Sequence, residues 1–354
     1  MDIFDIDDVR TGILEQAKHI LHNNAPVTGR ICLAQLALLN GVSQTSEKLR
    51  NWPGKLLADA VPLRLAGGLH YLHLSGAENR LLPIYRQEIT EQAQIDDNVA
   101  NIVADHDAAL LPWFDGPPQT NEAGRSASFM AGLKWLSAQG NPPRFEMNEL
   151  GASAGINTMM DRYHYDLGGV SAGPVSSPMQ IKPEWRGPPP PDAPVEIVSI
   201  QGCDQNPVDL SDPAAAMRVK SYVWPENLDR IARMDAAIAL AATRAPDVVR
   251  ADAADWADIR LSIPQESGTT RIIHHSIVWQ YIPKDRRNRI GLAMAAAGKN
   301  ATPDRPLVWM MLETNRATFR HELTVRIWDG GGHNGDSHLL GYAQAHGAWV
   351  EFVG

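Results

Sequence analysis

The sequence is poor in cysteine, has no excess of positive charge and contains no long apolar run. Two cysteines among 354 residues cannot build a disulfide framework or a cysteine-based zinc site. No stretch of about 18 apolar residues occurs, so a membrane span is not expected. The net charge of −9 argues against nucleic acid as a partner, because phosphate binding needs a concentrated basic surface. The acidic start is unlike a signal peptide, which makes a cytoplasmic location the expectation.

The pattern of apolar residues changes near residue 143. Before it, apolar residues recur at helical spacing and β-branched alternation is nearly absent, which predicts an all-helical N-terminal region at 1–143. From Arg144, strand-like and helix-like segments alternate, which predicts a Rossmann-like, doubly wound α/β domain at 144–354 with a mostly parallel sheet. Strict alternation over residues 321–328, followed by a glycine-rich turn, predicts an antiparallel C-terminal hairpin whose return strand lies within 339–353.

Individual elements can be placed within these two regions. We expect a helix over 122–139 with Thr120 or Asn121 as its N-cap, and helices that begin at 156 and span 226–244. The Pro/Gly-rich stretch at about 167–194 is expected to be an inserted loop, because proline removes backbone donors. Strands of the parallel sheet are expected at 144–150, 195–203, 247–251, 271–278 and 306–312.

Seven residues, Glu149 to Gly155 (ELGASAG), link the first predicted strand to the helix after it. Glycines at such a junction let the backbone turn sharply and approach a bound molecule. The Gly-x-Ser-x-Gly part fits the nucleophile elbow of a serine hydrolase, with Ser153 as the nucleophile. The dinucleotide fingerprint Gly-x-Gly-x-x-Gly is not matched, which disfavours NAD.

Other parts of the sequence give one observation for a serine hydrolase and one against it. Acidic and histidine residues follow Ser153 in a suitable order. However, a nucleophile elbow follows a strand inside the hydrolase sheet, whereas Arg144 begins the first strand predicted here. The partners available to Ser153 are Asp204 or Asp252, followed by His274, His321 or His346.

The same seven residues resemble the cofactor loop of class I S-adenosylmethionine-dependent methyltransferases, in which Ser153 is usually glycine. This resemblance implies that the loop binds S-adenosylmethionine. The segment Gly202–Pro207 resembles the family's second strand end, which implies that Asp204 accepts hydrogen bonds from the ribose hydroxyls. Asp252 corresponds to the segment that contacts adenine. The implied cofactor-binding residues are Glu149, Gly151, Ser153, Gly155, Asp204 and Asp252.

In that family the end of the fourth strand faces the transferred methyl group, which makes His275 a candidate general base. His274 and His275 point to opposite faces of a strand, so one of them is expected to be structural. Tyr281 is a second candidate catalytic residue, and Glu313 lies on the same edge of the sheet. Four C-terminal histidines match no zinc signature, so a metal is not expected.

Most of the chain also resembles a prokaryotic family, domain-of-unknown-function family 2332. This resemblance supports the integrity of the fold and implies no activity. The segments that carry it are Gln119–Arg125, Gly151–Asn157, Asp161–Tyr163, Asn206–Leu210, Val223–Glu226 and His275–Tyr281.

Three polar residues, Asn121, Glu122 and Arg125, stand at a predicted helix start before the glycine-rich loop. We expect them to bind the substrate and close over the ligand pocket, since arginine binds carboxylates and phosphates bidentately. The alternative is an ordinary N-cap followed by a surface Glu–Arg pair.

These observations favour an S-adenosylmethionine-dependent methyltransferase that acts on a small molecule. A serine hydrolase acting through Ser153, and a non-catalytic ligand-binding protein with a methyltransferase-like fold, remain as alternatives.

Overall fold

The structure is a computed structural model that describes residues 8–119 and 121–354. The acidic start, residues 1–7, and Thr120, one of the two predicted N-caps, lie outside the described residues. Within the described ranges, no helix is both long and apolar enough to cross a lipid bilayer.

Contacts within the chain form two groups. Residues 8–119 associate with residues 212–232, and residues 121–211 associate with residues 233–354. The predicted domain boundary at residue 143 concerns independently folding domains, which these contacts do not test, so it stays a prediction.

The N-terminal region is helical, as the spacing of its apolar residues predicts. Its buried side chains Ile31, Leu65 and Val99 belong to an apolar cluster that also includes Tyr222, from residues 212–232. Short 3₁₀ helices span Asn79–Leu81, Leu111–Asp115, Ala123–Arg125, Asn157–Arg162 and Trp279–Tyr281. The α-helices are α1 Val9–His22, α2 Pro26–Leu38, α3 Gln44–Arg50, α4 Val61–Leu74, α5 Leu82–Tyr85, α6 Gln92–Asp105, α7 Asp107–Leu110, α8 Ser126–Ala138, α9 Pro213–Ser221, α10 Leu228–Thr243, α11 Ala253–Ser262 and α12 Lys284–Gly298.

The second group of residues is built on a large, mostly parallel sheet with antiparallel strands at its C-terminal side, which confirms the predicted fold class. Nine strands hydrogen-bond in the order β5-β12-β11-β10-β9-β8-β1-β6-β7, and β3-β2-β4 form a separate sheet. The strands are β1 Arg144–Leu150, β2 His164–Leu167, β3 Val170–Ala172, β4 Gln180–Ile181, β5 Glu184–Arg186, β6 Glu196–Asp204, β7 Val248–Arg250, β8 Thr270–Ser276, β9 Leu307–Thr314, β10 His321–Trp328, β11 Asn334–Ala343 and β12 Trp349–Phe352.

The first strand of this sheet, β1, lies in its middle, and the direction in which later parallel strands are added reverses once. The chain runs outward from β1 through β6 to β7, then crosses back to β8 on the other side of β1 and continues to β9. All these neighbours are parallel. Counted in chain order, the parallel strands lie as 3-2-1-4-5, which is the order of doubly wound nucleotide-binding sheets. The order reverses between β1 and β8, and ligands of such sheets bind at the carboxyl ends of the strands there.

Helices cover both faces of the sheet. Phe129 of α8 packs edge-on against the His274 ring, with ring centroids 4.8 Å apart. Ile273, the neighbouring residue of β8, packs in a cluster with buried side chains of α11 and α12. Because successive strand residues point to opposite faces, α8 lies on one face and α11 and α12 lie on the other.

Three local predictions were wrong. The helix expected from residue 156 is a 3₁₀ helix followed by β2, because side chains bond the local backbone there. Thr158 Oγ1 donates to the Gly155 carbonyl at 2.7 Å, and such contacts compete with a regular helix. The inserted loop at 167–194 contains short strands, of which β5 joins the edge of the large sheet. The return strand expected within 339–353 is interrupted by a turn in which Gln344 Oε1 accepts from His346 N at 2.6 Å.

Candidate functional site

The carboxyl ends of the parallel strands bring together most of the predicted site residues. Glu149 is near the end of β1 and pairs in register with His274 of β8. Asp204 is the last residue of β6, and Glu313 is near the end of β9. Residues far apart in the chain therefore meet at the edge where the strand order reverses.

The glycine-rich loop takes an unusual backbone path. Gly151, Ser153 and Gly155 have φ angles of +69°, +54° and +69°, in the left-handed region that favours glycine. A Cβ on Gly151 would lie 2.4 Å from Val278 Cγ2, so glycine is needed at this position for packing as well as for φ. The loop therefore lies directly against the segment that follows β8.

Asp204 holds this loop in place. Its Oδ2 accepts from the Ser153 backbone N–H at 2.9 Å, and its Oδ1 accepts from the Asn206 N–H at 2.8 Å. The Ala152 N–H also donates to the Cys203 carbonyl at 2.9 Å. An ionised carboxylate offers about four acceptor sites. Two of the sites on Asp204 are thus used by the backbone, and the proposed role toward ribose hydroxyls stays a prediction.

The segment that contains Asn121, Glu122 and Arg125 is buried against the same edge. Asn121 Oδ1 accepts from Ile156 N at 2.7 Å, so it binds the end of the glycine-rich loop. Arg125 donates from Nη1 to the Ser276 carbonyl at 3.2 Å and from Nε to the Ala345 carbonyl at 2.8 Å. The expected substrate contacts of these three residues stay predictions.

The predicted start of this helix was wrong. A 3₁₀ helix precedes α8, and its N-cap is Glu122, whose side chain accepts from Gly124 N at 3.3 Å. Asn121 accepts a hydrogen bond from Ile156 N at the end of the loop and does not cap the helix. Glu122 pairs with Arg233 at 3.0 Å, and the Glu122 side chain is 5% exposed, so this carboxylate is buried and does not lie on the surface.

Glu149 is a buried carboxyl group. Asn157 Nδ2 donates to its Oε1 at 3.3 Å, and its Oε2 has no hydrogen-bond partner within the part of the chain that the structure describes. Burial raises the pKa of Glu149 from 4.5 to about 8, although Asn157 and the charge of Arg125 act in the opposite direction. A carboxylic acid in this state can donate a hydrogen bond at neutral pH.

The two strand histidines differ as their alternation predicts. His274 lies under Phe129, and neither ring nitrogen has a hydrogen-bond partner among the described residues. Burial lowers the pKa of His274 to about 3, so its ring is neutral. His275, on the other face, contacts Glu313 Oε1 through Nδ1 at 2.7 Å.

The predicted hydrolase residues are not assembled into a triad. Ser153 Oγ is buried and has no hydrogen-bond partner in residues 8–119 and 121–354. His321 Nδ1 instead contacts Thr314 Oγ1 at 2.9 Å. A nucleophilic serine needs a base in hydrogen-bond reach, and this geometry supplies none.

Two further predicted residues have other local environments. Asp252 is the N-cap of α11, where its Oδ1 accepts from Ala254 N at 2.9 Å and from Asp255 N at 3.3 Å. Tyr281, in the 3₁₀ helix after β8, is 69% exposed. Their proposed roles in cofactor binding and catalysis stay predictions.

Sequence reasoning missed several residues of this site. Asn157 contacts Glu149 and Arg233 contacts Glu122, yet neither Asn157 nor Arg233 was predicted as a site residue. Ile277 has a φ of +51°, which is rare for a β-branched residue. Such strain cannot be read from a single sequence, because it depends on what the surrounding chain imposes.

Outside this edge of the sheet, the second group of residues contains fewer features expected of a ligand-binding site. A pocket of about 180 Å³ lined by Leu261, Arg271 and Leu307 lies at the amino ends of β8 and β9, opposite the edge where ligands of such sheets bind. Among the described residues, no three His, Cys, Asp or Glu side chains are placed to hold a metal ion.

Comparison with known proteins gives the family of this chain. Searches of curated proteins and of solved structures found no match. A family model does match residues 10–352, which is nearly the whole chain. The chain therefore belongs to DUF2332, the family described as an uncharacterized protein conserved in bacteria, as its sequence predicted.

Proposed function

We propose that this protein is an S-adenosylmethionine-dependent methyltransferase acting on a small molecule. One observation carries the proposal: the Glu149–Gly155 loop follows the first strand of a 3-2-1-4-5 sheet at the reversal of strand order, and Asp204 ends the adjacent second strand. Such sheets bind nucleotide-bearing ligands at this edge. S-adenosylmethionine supplies an electrophilic methyl group, and the protein has chiefly to hold two reactants in line.

The residues at the edge fit a nucleoside-bearing cation. Asp204 keeps acceptor capacity beyond its two backbone contacts, as a ligand with vicinal hydroxyls requires. Glu149 Oε2 is a buried polar atom without a hydrogen-bond partner in the described chain, and such atoms normally have one. Asp252 follows the third strand of the sheet and is only partly buried.

The acceptor would bind at the carboxyl end of β8, where the segment that contains Asn121, Glu122 and Arg125 closes one side of the site. All three side chains are buried, so the segment can exclude water from the reacting groups. Arg125 contributes a positive charge near the end of β8, where its Nη1 contacts the Ser276 carbonyl. In the proposal these residues orient the acceptor. The cofactor lies on the other side of the position between β1 and β8 where the strand order reverses.

The first experiment is calorimetric titration of the full chain with S-adenosylmethionine and S-adenosylhomocysteine. Asp204→Asn keeps an acceptor oxygen for Ser153 N but loses the charge, so we expect it to weaken binding roughly 10- to 100-fold. Asp209→Asn is the matched control, since Asp209 is exposed and accepts hydrogen bonds from Ser211 among the described residues. Binding of neither ligand by folded wild-type protein would overturn the proposal.

The hydrolase alternative keeps one supporting observation, the left-handed backbone at Ser153, because a nucleophile elbow is strained. Incubation with a fluorophosphonate tests it. Labelling of wild type but not of Ser153→Ala would establish a nucleophilic serine. Absence of labelling would leave the methyltransferase and the non-catalytic binding protein, which the titration and a methyl-transfer assay separate.

A further inference from the structure

Glu313, near the end of β9, makes three hydrogen bonds through one carboxylate oxygen. Its Oε1 contacts His275 Nδ1 at 2.7 Å and accepts from the backbone N–H groups of Val278 at 3.1 Å and Trp279 at 3.2 Å. The carboxylate therefore ties the end of β8 and the segment after it to β9.

This arrangement fixes the tautomer of His275. A carboxylate only accepts hydrogen bonds, so Nδ1 carries the proton in the neutral ring and Nε2 carries a lone pair. His275 is fully buried, and its Nε2 has no hydrogen-bond partner in the described part of the chain. A lone pair held in this way is suited to accept a proton from a bound molecule.

The segment 277–279 (the strap) connects this pair to the proposed cofactor loop. Val278 packs against Gly151, as its distance from a Cβ built there shows. Ile277, at the start of the strap, has the left-handed φ of +51°, and backbone strain of this kind is concentrated at functional sites. The histidine and the glycine-rich loop thus lie on either side of one strained segment.

The surroundings of His275 are aromatic. The Trp279 ring stacks on the imidazole at 4.7 Å with an interplanar angle of 11°, and Trp309 meets it edge-on at 6.1 Å. Trp309 Nε1 is another buried polar atom without a hydrogen-bond partner in the described residues. Trp279 is only half-buried, so its movement would open the path to Nε2.

We infer that His275 is the proton acceptor for a small aromatic methyl acceptor whose nucleophile is an O–H or N–H group, and that Glu313 is the positioning residue that fixes its tautomer. The inference rests on the proposed methyltransferase function. Carboxylate and thiolate acceptors carry no proton to remove, so they would make no use of a histidine held in this way. The rings of Trp279 and Trp309 beside His275 favour an acceptor with a flat apolar body.

The reaction balances without a further reactant. The O–H or N–H bond of the acceptor breaks and its proton goes to His275 Nε2. The acceptor heteroatom forms a bond to the methyl carbon, whose bond to sulfur breaks, so that the sulfonium leaves as a neutral thioether. The proton on His275 is then released to solvent.

The first test needs no ligand. Long-range ¹H–¹⁵N spectra of the full chain, assigned by the signals lost in His275→Asn, should show a protonated Nδ1 and a bare Nε2. Glu313→Ala removes the acceptor oxygen and should abolish this single tautomer. Glu322→Ala, on β10 in register with Glu313, should leave it unchanged. A proton on Nε2 in wild type would overturn the inference, whatever the variants do.

The second test uses methyl-labelled S-adenosylmethionine with phenol, benzylamine, benzoate and thiophenol as probes. We expect transfer to phenol or benzylamine, lowered roughly 10²- to 10⁴-fold in His275→Asn. Transfer only to benzoate or thiophenol, or to none of the four by protein that binds S-adenosylmethionine, would overturn the inference. Failure to bind S-adenosylmethionine would instead refute the proposed function, and the spectra would still report the state of His275.

Discussion

Ser153 combines two unfavourable features in one residue. Its φ of +54° is in the left-handed region, which costs a non-glycine residue about 1–2 kcal/mol. Its Oγ is buried without a hydrogen-bond partner among residues 8–119 and 121–354.

We expect Ser153→Gly to stabilise the protein by about 1 kcal/mol, since relief of strain and loss of the buried hydroxyl outweigh the added freedom of the unfolded chain. Urea denaturation measures the change in the free energy of unfolding. Ser153→Ala is the control, because it removes Oγ and keeps the strained backbone, and its gain should be smaller. A loss of stability in both variants would mean that Oγ makes a favourable contact.

Glu149 and His274 are adjacent buried groups whose ionisation is unfavourable. Burial raises the pKa of Glu149 to about 8 and lowers the pKa of His274 to about 3. The native state therefore holds the Glu149 proton where the unfolded chain has lost it, between about pH 4.5 and 8. This contribution to stability is fully present below pH 4.5 and is lost as the pH rises through about 8.

We expect Glu149→Gln to be more stable than wild type at high pH. Relative to the variant, wild type should lose about 1.4 kcal/mol of unfolding free energy per pH unit across that window. His274 is present in both proteins, so its opposite pH dependence cancels in the difference. Urea denaturation at pH 5, 6.5 and 8 measures this difference in unfolding free energy. Glu88→Gln is the control, because Glu88 is exposed. A difference independent of pH would show that Glu149 is ionised in the native state.

At the scale of elements, a turn between β11 and β12 packs directly on the 3₁₀ helix at Ala123–Arg125. A Cβ on Gly347 would lie 2.4 Å from the Gly124 carbonyl carbon, and Gly347 has a φ of +73°. Two glycines therefore allow two backbone segments to touch. This contact holds the segment that contains Asn121, Glu122 and Arg125 over the carboxyl edge of the sheet.

We expect Gly347→Ala to destabilise the protein by about 2–4 kcal/mol, because it adds both a steric clash and an unfavourable φ. Gly332→Ala is the matched control, since a Cβ at Gly332 meets no atom within 4 Å. Thermal unfolding of both variants measures the effect. Equal melting temperatures would mean that the turn can move away from the helix without cost.

Several elements were predicted closely and others were not. Alternation located β10, and the strands expected at 144–150 and 271–278 match β1 and β8 to within two residues at each end. The 3₁₀ helix at Asn157–Arg162 was missed, because its shape depends on hydrogen bonds such as that from Tyr165 OH to the Met160 carbonyl at 3.0 Å. Bonds of this kind leave no periodic pattern in the sequence.

At the scale of the whole molecule, residues 212–232 pack with the N-terminal helices. Glu226 Oε1 accepts from the backbone N–H groups of Val27 at 2.6 Å and Thr28 at 2.9 Å, in the first turn of α2. Its Oε2 accepts from Thr28 Oγ1 at 2.8 Å. A carboxylate at this position satisfies helix donors that otherwise have no intrahelical partner.

We expect Glu226→Ala to lower the free energy of unfolding by about 1–3 kcal/mol, because it leaves these N–H groups without their acceptor. Glu91→Ala is the control, since Glu91 is the N-cap of α6 and its side chain makes no capping bond. Chemical denaturation of both variants compares the two losses. Similar small losses would mean that solvent replaces Glu226 at the start of α2.

The sequence by itself determined most of the helical and strand-forming segments, the glycine-rich loop and the membership of DUF2332. These depend on patterns that extend over a few neighbouring residues or on motifs along the chain. Only the tertiary structure decided that β8 lies beside β1, that Glu149 is buried, and that Glu313 contacts His275 across 38 residues. Strand order and burial arise from contacts between distant residues, and a local pattern carries no information about them.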